Sequence, residues 1–423
     1  MNKLIRKTMS LFLVILLLLT SGCWNRREMN TLTINSAIGF DRITTGGQSK
    51  ILLSVLTIKP SRPAGGAGGA GGMGGGGAGP QTAATGQVIS ITGETIQDAV
   101  SNWDLRSSRQ LFMGHTVLIV IGESIAKEGL GWVIDFGNRN RDIPERAMVV
   151  VCEGSARDCL QAQSEFEPLL PTEVSHILNL NKYFTSKTKG TNLFQVMYDL
   201  LTPGRETTLA FLKTFTPPEK GSAIRQTPAT GGKTSGEGDQ PQRKVFSVTG
   251  AMAFRGEKLA GRLNEVETQG MLFIRDEAQG GIIPLAFDST PKNTSFLFRD
   301  VRTKVKPIIT REKITFQVKI KGTGELIGAA PETVDITKKS DVIKMEGLVN
   351  QEVERRCRNA VAKAKELKSD VFGFGDKIHR TNSQVWKEIE DRWEEIFPYV
   401  DVDIKAEFSV EHSGLLNKSL KIR

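Results

Sequence analysis

Two tracts of this chain have nothing to give a core, and they decide how the remainder is divided. Residues 64–80 run almost wholly as glycine and alanine and close on Pro80, while 216–243 is rich in Pro, Gly, Thr, Ser and charge with no periodic apolar pattern. Neither has side chains whose burial would offset the entropy of ordering the backbone, so both read as disordered surface loops. The folded material must lie around them. With 423 residues, 39% of them hydrophobic, there is enough apolar material for more than one core, at about 100–200 residues per domain.

The amino terminus narrows the setting. Lys3, Arg6 and Lys7 precede an apolar run from Met9 to Leu19, broken only by Ser10, and then Leu19-Thr-Ser-Gly-Cys23. The run is too short to cross a bilayer as a helix and reads as a signal peptide over 1–22. Small residues directly before a cysteine form a lipobox: a diacylglycerol alkylates the thiol, and a peptidase cuts before it where only small side chains fit. Ser21 and Gly22 suit that slot, whereas Thr20 departs from the commoner leucine. Cys23 is thus the expected lipidation site, and two acyl chains give stable anchoring. The net charge is +9, three of which sit in the leader, so the rest of the chain is mildly basic. Its basic residues from Lys304 to Lys344 and from Arg355 to Lys368 alternate with acids and apolar positions. That excludes nucleic acid as the natural partner and suits a face turned toward anionic phospholipid.

The pattern of elements alternates strand and helix. Ile34–Asp41 and Ile51–Ile58 read as a hairpin around Gly46-Gly47. Glu94–Ser107 reads as an amphipathic helix with Thr92 as cap, Thr116–Ile121 and Ala147–Val151 as buried strands, and Ile125–Phe136 as a helix between them. Helices are expected over Ser155–Gln163, Thr172–Asn179 and Asn192–Leu201, the last stopped by Pro203-Gly204. Val245–Phe254 and Lys258–Leu263 form a second hairpin, with short strands at Met271–Ile274 and Gly281–Leu285.

Farther on, Ile314, Phe316, Val318 and Ile320 alternate with polar residues in a half-buried strand. Ser340–Lys368 is a long helix with a stripe from Met345 to Leu367 that includes Cys357. A helix from about Ser383 to Phe397 and a closing strand from Val400 to Val410 complete the chain. The fold class is mixed α/β in three domains, each a small mixed sheet with helices packed on it: 23–203 with the loop at 64–80, a β-rich middle at 204–287 with the loop at 216–243, and an α+β module at 288–423.

Patterns that invite an enzyme reading fail on context. Gly66, Gly68 and Gly71 match a dinucleotide fingerprint only because of composition, and Gly232-Lys233-Thr234 ends like a phosphate loop within a linker. Asp135-Phe-Gly137 resembles a kinase triplet at what reads as an element end, with no catalytic loop before it. His115, His176, His379 and His412 are isolated from the cysteines and from one another, so no cofactor or metal is expected. Cys152 and Cys159 read either as a local disulfide or as two buried thiols. Trp386 and Trp393, seven residues apart on an apolar face, read as core.

Several short segments, taken in order, resemble the Ger(x)C family, the lipoprotein C subunits of nutrient germinant receptors in endospore-forming bacteria. They are Cys23-Trp24-Asn25-Arg26-Arg27-Glu28, with asparagine where the family carries aspartate, Gly39-Phe40-Asp41, Leu111-Phe-Met-Gly-His115 and Pro144-Glu-Arg146. Then follow Gly250 to Phe254, Lys258 to Leu263, Glu267-Thr268, Asp370-Val-Phe-Gly-Phe-Gly375, Trp386, Trp393 and Phe397-Pro398. The resemblance implies a three-domain α/β protein without catalytic activity, held at the spore inner membrane with membrane-embedded A and B subunits and acting in the response to small nutrients. It supplies no catalytic or ligand residues beyond the lipidated cysteine. Readings from other classes are a lipid-anchored extracellular enzyme, such as a cell-wall hydrolase, and a stand-alone solute-binding lipoprotein. The candidate partner contacts are Asp376, Lys377, His379 and Arg380, in a segment from Asp370 to Arg380 that reads as a loop bent by Gly373 and Gly375 with those four side chains facing outward.

Overall fold

The computed structural model describes residues 31–59, 85–217, 244–287, 294–310, 313–329 and 338–412, with 5, 7–9 and 12 of the leader. Cys23, the Gly/Ala tract and nearly all of the second expected loop lie outside the described residues. Among the described residues none before Asn35 is buried, so the cores begin there.

The larger sheet starts as the sequence suggests. β1 (Leu32–Thr45) and β2 (Gln48–Lys59) pair antiparallel through the Gly46-Gly47 turn, where both glycines take positive φ. β3 (Thr85–Gly93) adds antiparallel to β2. After α1 (Ile96–Trp103) the short β4 (Gln110–Phe112) pairs with the start of β1. Then β5 (Leu118–Ile121), β6 (Met148–Cys152) and β7 (Thr208–Phe215) extend the sheet in parallel from the other side of β1. β8 (Val245–Arg255) and β9 (Lys258–Leu263) close it antiparallel, giving the order β3-β2-β1-β5-β6-β7-β8-β9.

Parallel strands need crossovers, and helices supply them on both faces. Between β5 and β6 lie α2 (Glu123–Glu128) and α3 (Gly131–Arg139); between β6 and β7 lie α4 (Ala156–Leu160), α5 (Leu170–Phe184) and α6 (Leu193–Leu201). One face packs Ile38, Phe40, Ile119, Val149 and Phe211 against Trp103, Val133, Phe136 and Val196. The other packs Ala37, Leu118, Val120 and Val150 against Cys159, Leu160, Val174 and Leu178. Burial on both sides is why Leu118-Ile-Val-Ile121 is apolar without alternation.

The smaller sheet has the order β10-β11-β12-β13: β10 (Gly280–Leu285), β11 (Thr294–Ile309), β12 (Ile314–Ala329) and β13 (Asp401–His412), the last running parallel to β12. Its inner face and the stripe of α8 (Lys339–Glu366) enclose Phe316, Val318, Ile320, Val349, Val353 and Cys357. That core also takes in Ala253 and Leu263 of the larger sheet, with α7 (Glu265–Ile274) between the two. The class is mixed α/β, organised in two sheets. The expected division at 203/204 falls between α6 and β7 of one continuous sheet, and that at 287/288 falls between the paired strands β10 and β11.

Several local readings are corrected. Met271–Ile274 is the end of helix α7 and not a strand; the Asn264 side chain caps that helix by accepting from the Glu267 N–H, the Asn264 N–H donates in return to the Glu267 carboxylate, and every residue from Thr268 to Ile274 is buried. A helix enclosed on all sides loses the periodicity that would reveal it. The span Ile125–Phe136 holds two helices, broken at Gly129. Asp135-Phe-Gly137 lies inside the second of these rather than at an element end. The cap of α1 is Thr95, not Thr92. Ser383–Phe397 is α10 (Ser383–Ile389) and α11 (Trp393–Ile396), separated by a 3-10 turn.

Candidate docking surface

The Asp370–Arg380 segment is not a loop. Val371 to Asp376 are all buried, and Phe374–Thr381 forms a helix, α9. Asp370 begins it: one carboxylate oxygen accepts from the Phe374 N–H at 3.0 Å, and the other from the Gly375 N–H at 2.8 Å and the Trp393 indole at 3.0 Å. A carboxylate at a helix N-terminus satisfies donors that the helix cannot. Burial raises the Asp370 carboxyl to about 6 despite these bonds. Gly373 caps at φ +72°, and Gly375 lies against Gly204, where a Cβ would fall 2.7 Å from the Gly204 Cα.

Asp376 is therefore interior, with 4% of its surface exposed. It accepts from Arg205 at 3.0 Å and from Arg380 at 2.8 Å, and its backbone N–H donates to the Gly204 carbonyl. Arg205 continues to Asp199 at 3.3 Å and lies over the Tyr198 ring; Arg380 donates to the Tyr198 hydroxyl at 2.8 Å. The expectation that Asp376 faces outward is thus wrong, because its charge belongs to a chain of ion pairs tying α9 to α6. Lys377, His379 and Arg380 do face solvent.

A second network adjoins the first, with Arg275 and Lys189 buried and the Glu277 side chain 36% exposed. Glu277 pairs with Arg275 at 2.8 Å and with Lys189 at 3.5 Å, and Arg275 also donates to the Val371 carbonyl at 2.7 Å. Burial would push the Glu277 carboxyl up, but the two cations outweigh it and hold it near 2. The junction between the sheets is thus a rigid, charge-balanced block.

What the block presents outward is apolar. α6 opens with a capping box of Asn192 and Gln195 and turns Leu193 and Val196 inward. Its other face carries Phe194, Tyr198 and Leu201 at 53%, 42% and 82% exposure. Phe194 and Tyr198 stack, and Tyr198 touches Arg380. An i, i+4, i+7 apolar stripe left in solvent beside cations is the composition of an interface and not of a free surface. Sequence reading misses it because α6 is apolar on both faces.

Three of the histidines lie apart from one another. His115 edges Phe112, His176 bonds Glu167 at 3.0 Å and His379 lies beside Trp386. Among the described residues no three His, Cys, Asp or Glu side chains are grouped to hold a metal ion. Cys152, Cys159 and Cys357 are free, buried thiols, and burial together with the neighbouring Cys159 thiol pushes Cys152 up. Among the described residues no helix is long and apolar enough to cross a membrane.

Of the motifs behind the resemblance, Gly39-Phe40-Asp41 serves packing. Gly39 lets α4 close on the sheet, since a Cβ there would lie 2.9 Å from Leu160; Phe40 fills the opposite core; and Asp41 accepts from the N–H groups of Ala156 and Arg157. Comparison with known families accounts for these segments. Residues 25–214 match the family described as spore germination protein N-terminal domain, and residues 249–414 match spore germination B3/GerAC like, C-terminal. The chain belongs to this GerAC-type spore germination family.

Relatives within it span the whole length. Spore germination protein KC of Bacillus subtilis (strain 168) is 27% identical over 99% of this chain and 98% of its own. Spore germination protein YndF of the same organism is 24% identical over 98% of each. The crystal structure of the GerBC protein superposes with a TM-score of 0.48 at 19% identity, covering 89% of this chain and 98% of that one.

Proposed function

We propose that this GerAC-type protein is the lipid-anchored, non-catalytic subunit of a spore nutrient germinant receptor, tied through Cys23 to the outer face of the spore inner membrane and docked on membrane-embedded A and B subunits. The observation that carries the docking is the exposed stripe Phe194, Tyr198 and Leu201, with Arg380 bonded to the Tyr198 hydroxyl and the Arg205–Asp376–Arg380 ion pairs tying α9 to α6 behind it. Family membership and the lipobox support the membrane setting. Membership of the GerAC-type family favours a binding role over a chemical one.

Two experiments test it. Leu201→Glu with Phe194→Ser should leave folding and lipidation intact while weakening co-purification with the membrane subunits and slowing germination; unchanged recovery and germination would remove this surface from the interface. Cys23→Ala should leave an unprocessed or mislocalised precursor, and incorporation of labelled lipid by that variant would refute the anchor. Asp376 is unsuited to such a test, since its reversal would break the fold.

A further inference from the structure

The inner face of the smaller sheet is covered by α8, whereas the outer face is open, and its register places like charges opposite one another. Lys304 on β11 pairs directly with Lys319 on β12, and Lys319 with Lys405 on β13. All three are exposed. Adjacent strands lie about 4.8 Å apart, and like charges directly opposite on one face oppose sheet formation. The fold nevertheless keeps a row of three ammonium groups.

The surroundings sharpen the imbalance. Rows beside this one put Arg302 opposite Lys321, and Lys306 opposite Gln317. Most acids on the face belong to β13: Glu407 pairs with Lys321, Asp401 pairs with Lys313, and Asp403 stands opposite Gln317, with Glu411 near the far end; on β12 Glu325 pairs with Arg299. Among the described residues Lys304, Lys306, Lys319 and Lys405 form no ion pair within 4 Å; Glu407, whose carboxyl is held low by its bond to Lys321, also feels Lys319 and Lys405 at longer range. The face is thus cationic toward β11 and β12, extended in two dimensions, and backed by the buried Phe316, Val318, Ile320 and Phe408.

We propose that this outer face of the smaller sheet lies on an anionic phospholipid surface, with the row Lys304, Lys319 and Lys405 contacting the headgroups. A planar array of flexible ammonium groups without a concave pocket complements a plane of negative charge, and each such lysine near an anionic bilayer adds to binding. This placement rests on the membrane setting proposed above but does not use the lipid on Cys23. It fixes which way the folded body faces while the anchor only limits its distance.

The test uses the chain from Trp24 onward, which lacks the acylated cysteine and keeps every buried residue among those described. It should co-sediment with vesicles of mixed phosphatidylglycerol and phosphatidylcholine and not with phosphatidylcholine alone, and high salt should release it. Lys304→Gln, Lys319→Gln and Lys405→Gln together should weaken partitioning on the order of a hundredfold, with a melting temperature unchanged or raised. Removing Lys127, Lys258 and Lys387, three exposed lysines off this face, should change partitioning less than about threefold. Equal partitioning of the two triple variants, binding to neutral vesicles, or preferential binding of a DNA duplex would each overturn the proposal. Because Cys23 is absent, failure here leaves the anchor reading standing, and failure of Cys23→Ala above leaves this one.

Discussion

Gly270 of α7 and Arg356 of α8 meet backbone to backbone: a Cβ built on Gly270 falls 2.1 Å from the Arg356 carbonyl oxygen, and the Cys357 thiol lies 3.5 Å from the Gly270 carbonyl. No side chain can enter that crossing without moving a helix. Gly270→Ala should therefore destabilise the protein by about 1–3 kcal/mol or more, as overpacking does, read as a lower denaturation midpoint. A midpoint equal to wild type would show that the helices separate freely.

Asp370 holds three buried donors at once, those of Phe374, Gly375 and Trp393. Asp370→Ala leaves them unpaired and should cost roughly 3 kcal/mol. Asp370→Asn keeps one acceptor oxygen and should cost less. Denaturant titration of the two variants gives the order, and the reverse order would contradict the capping role.

Glu206 predicts a pH dependence. Burial raises its carboxyl to about 8, with the Gly256 N–H as its hydrogen-bond donor and Asp370 and Glu394 adding repulsion. A raised folded value means the native state holds the proton more tightly than the unfolded chain. This contribution to stability is present at acid pH and is lost as pH rises through about 8. Asp370 acts in the same direction but nearer pH 6. Glu206→Gln should therefore flatten the decline in melting temperature above neutrality, where Asp370 is already ionised; an unaltered slope there would exclude Glu206 as its source.

The outer edge of β13 is closed by α8. The N–H groups of Ala406, Phe408 and Val410 donate to Glu354 at 3.2 Å, Asn350 at 2.7 Å and Glu346 at 3.1 Å, residues one helical turn apart. Asn350→Ala should cost about 1 kcal/mol. Replacing all three acceptors by alanine should also expose a pairing edge and promote association, visible by light scattering. A monomeric triple variant of wild-type stability would refute this role.

How much of this could be read from the sequence follows the range of each signal. The hairpins, the helix stripe from Met345 to Leu367 and the burial of Trp386 and Trp393 are written in local periodicity, and all are present. At Met271 the Asn264-x-x-Glu267 capping box is the local signal for a helix where apolar content alone suggests a strand. By contrast, the partners of Asp376 in the junction include Arg205, 171 positions away, and Gly375 has its meaning only against Gly204. Gly373 and Gly375, which look like a bend, are in the folded chain the cap of a helix and the contact that admits it. Phe194, Tyr198 and Leu201 were legible as apolar, but their exposure depends on which face α6 turns inward.

The position of β1 bears on how this molecule opens. The first strand of a domain commonly frays, yet β1 is flanked by β2 on one side and by β5 on the other. Successive amides point to alternate neighbours, so freeing those of Ala37 to Phe40 together requires parting both ladders, and exchange across the whole stretch should need a larger opening than the loss of an edge strand. A pull applied at the amino terminus would meet the sheet's interior rather than its margin.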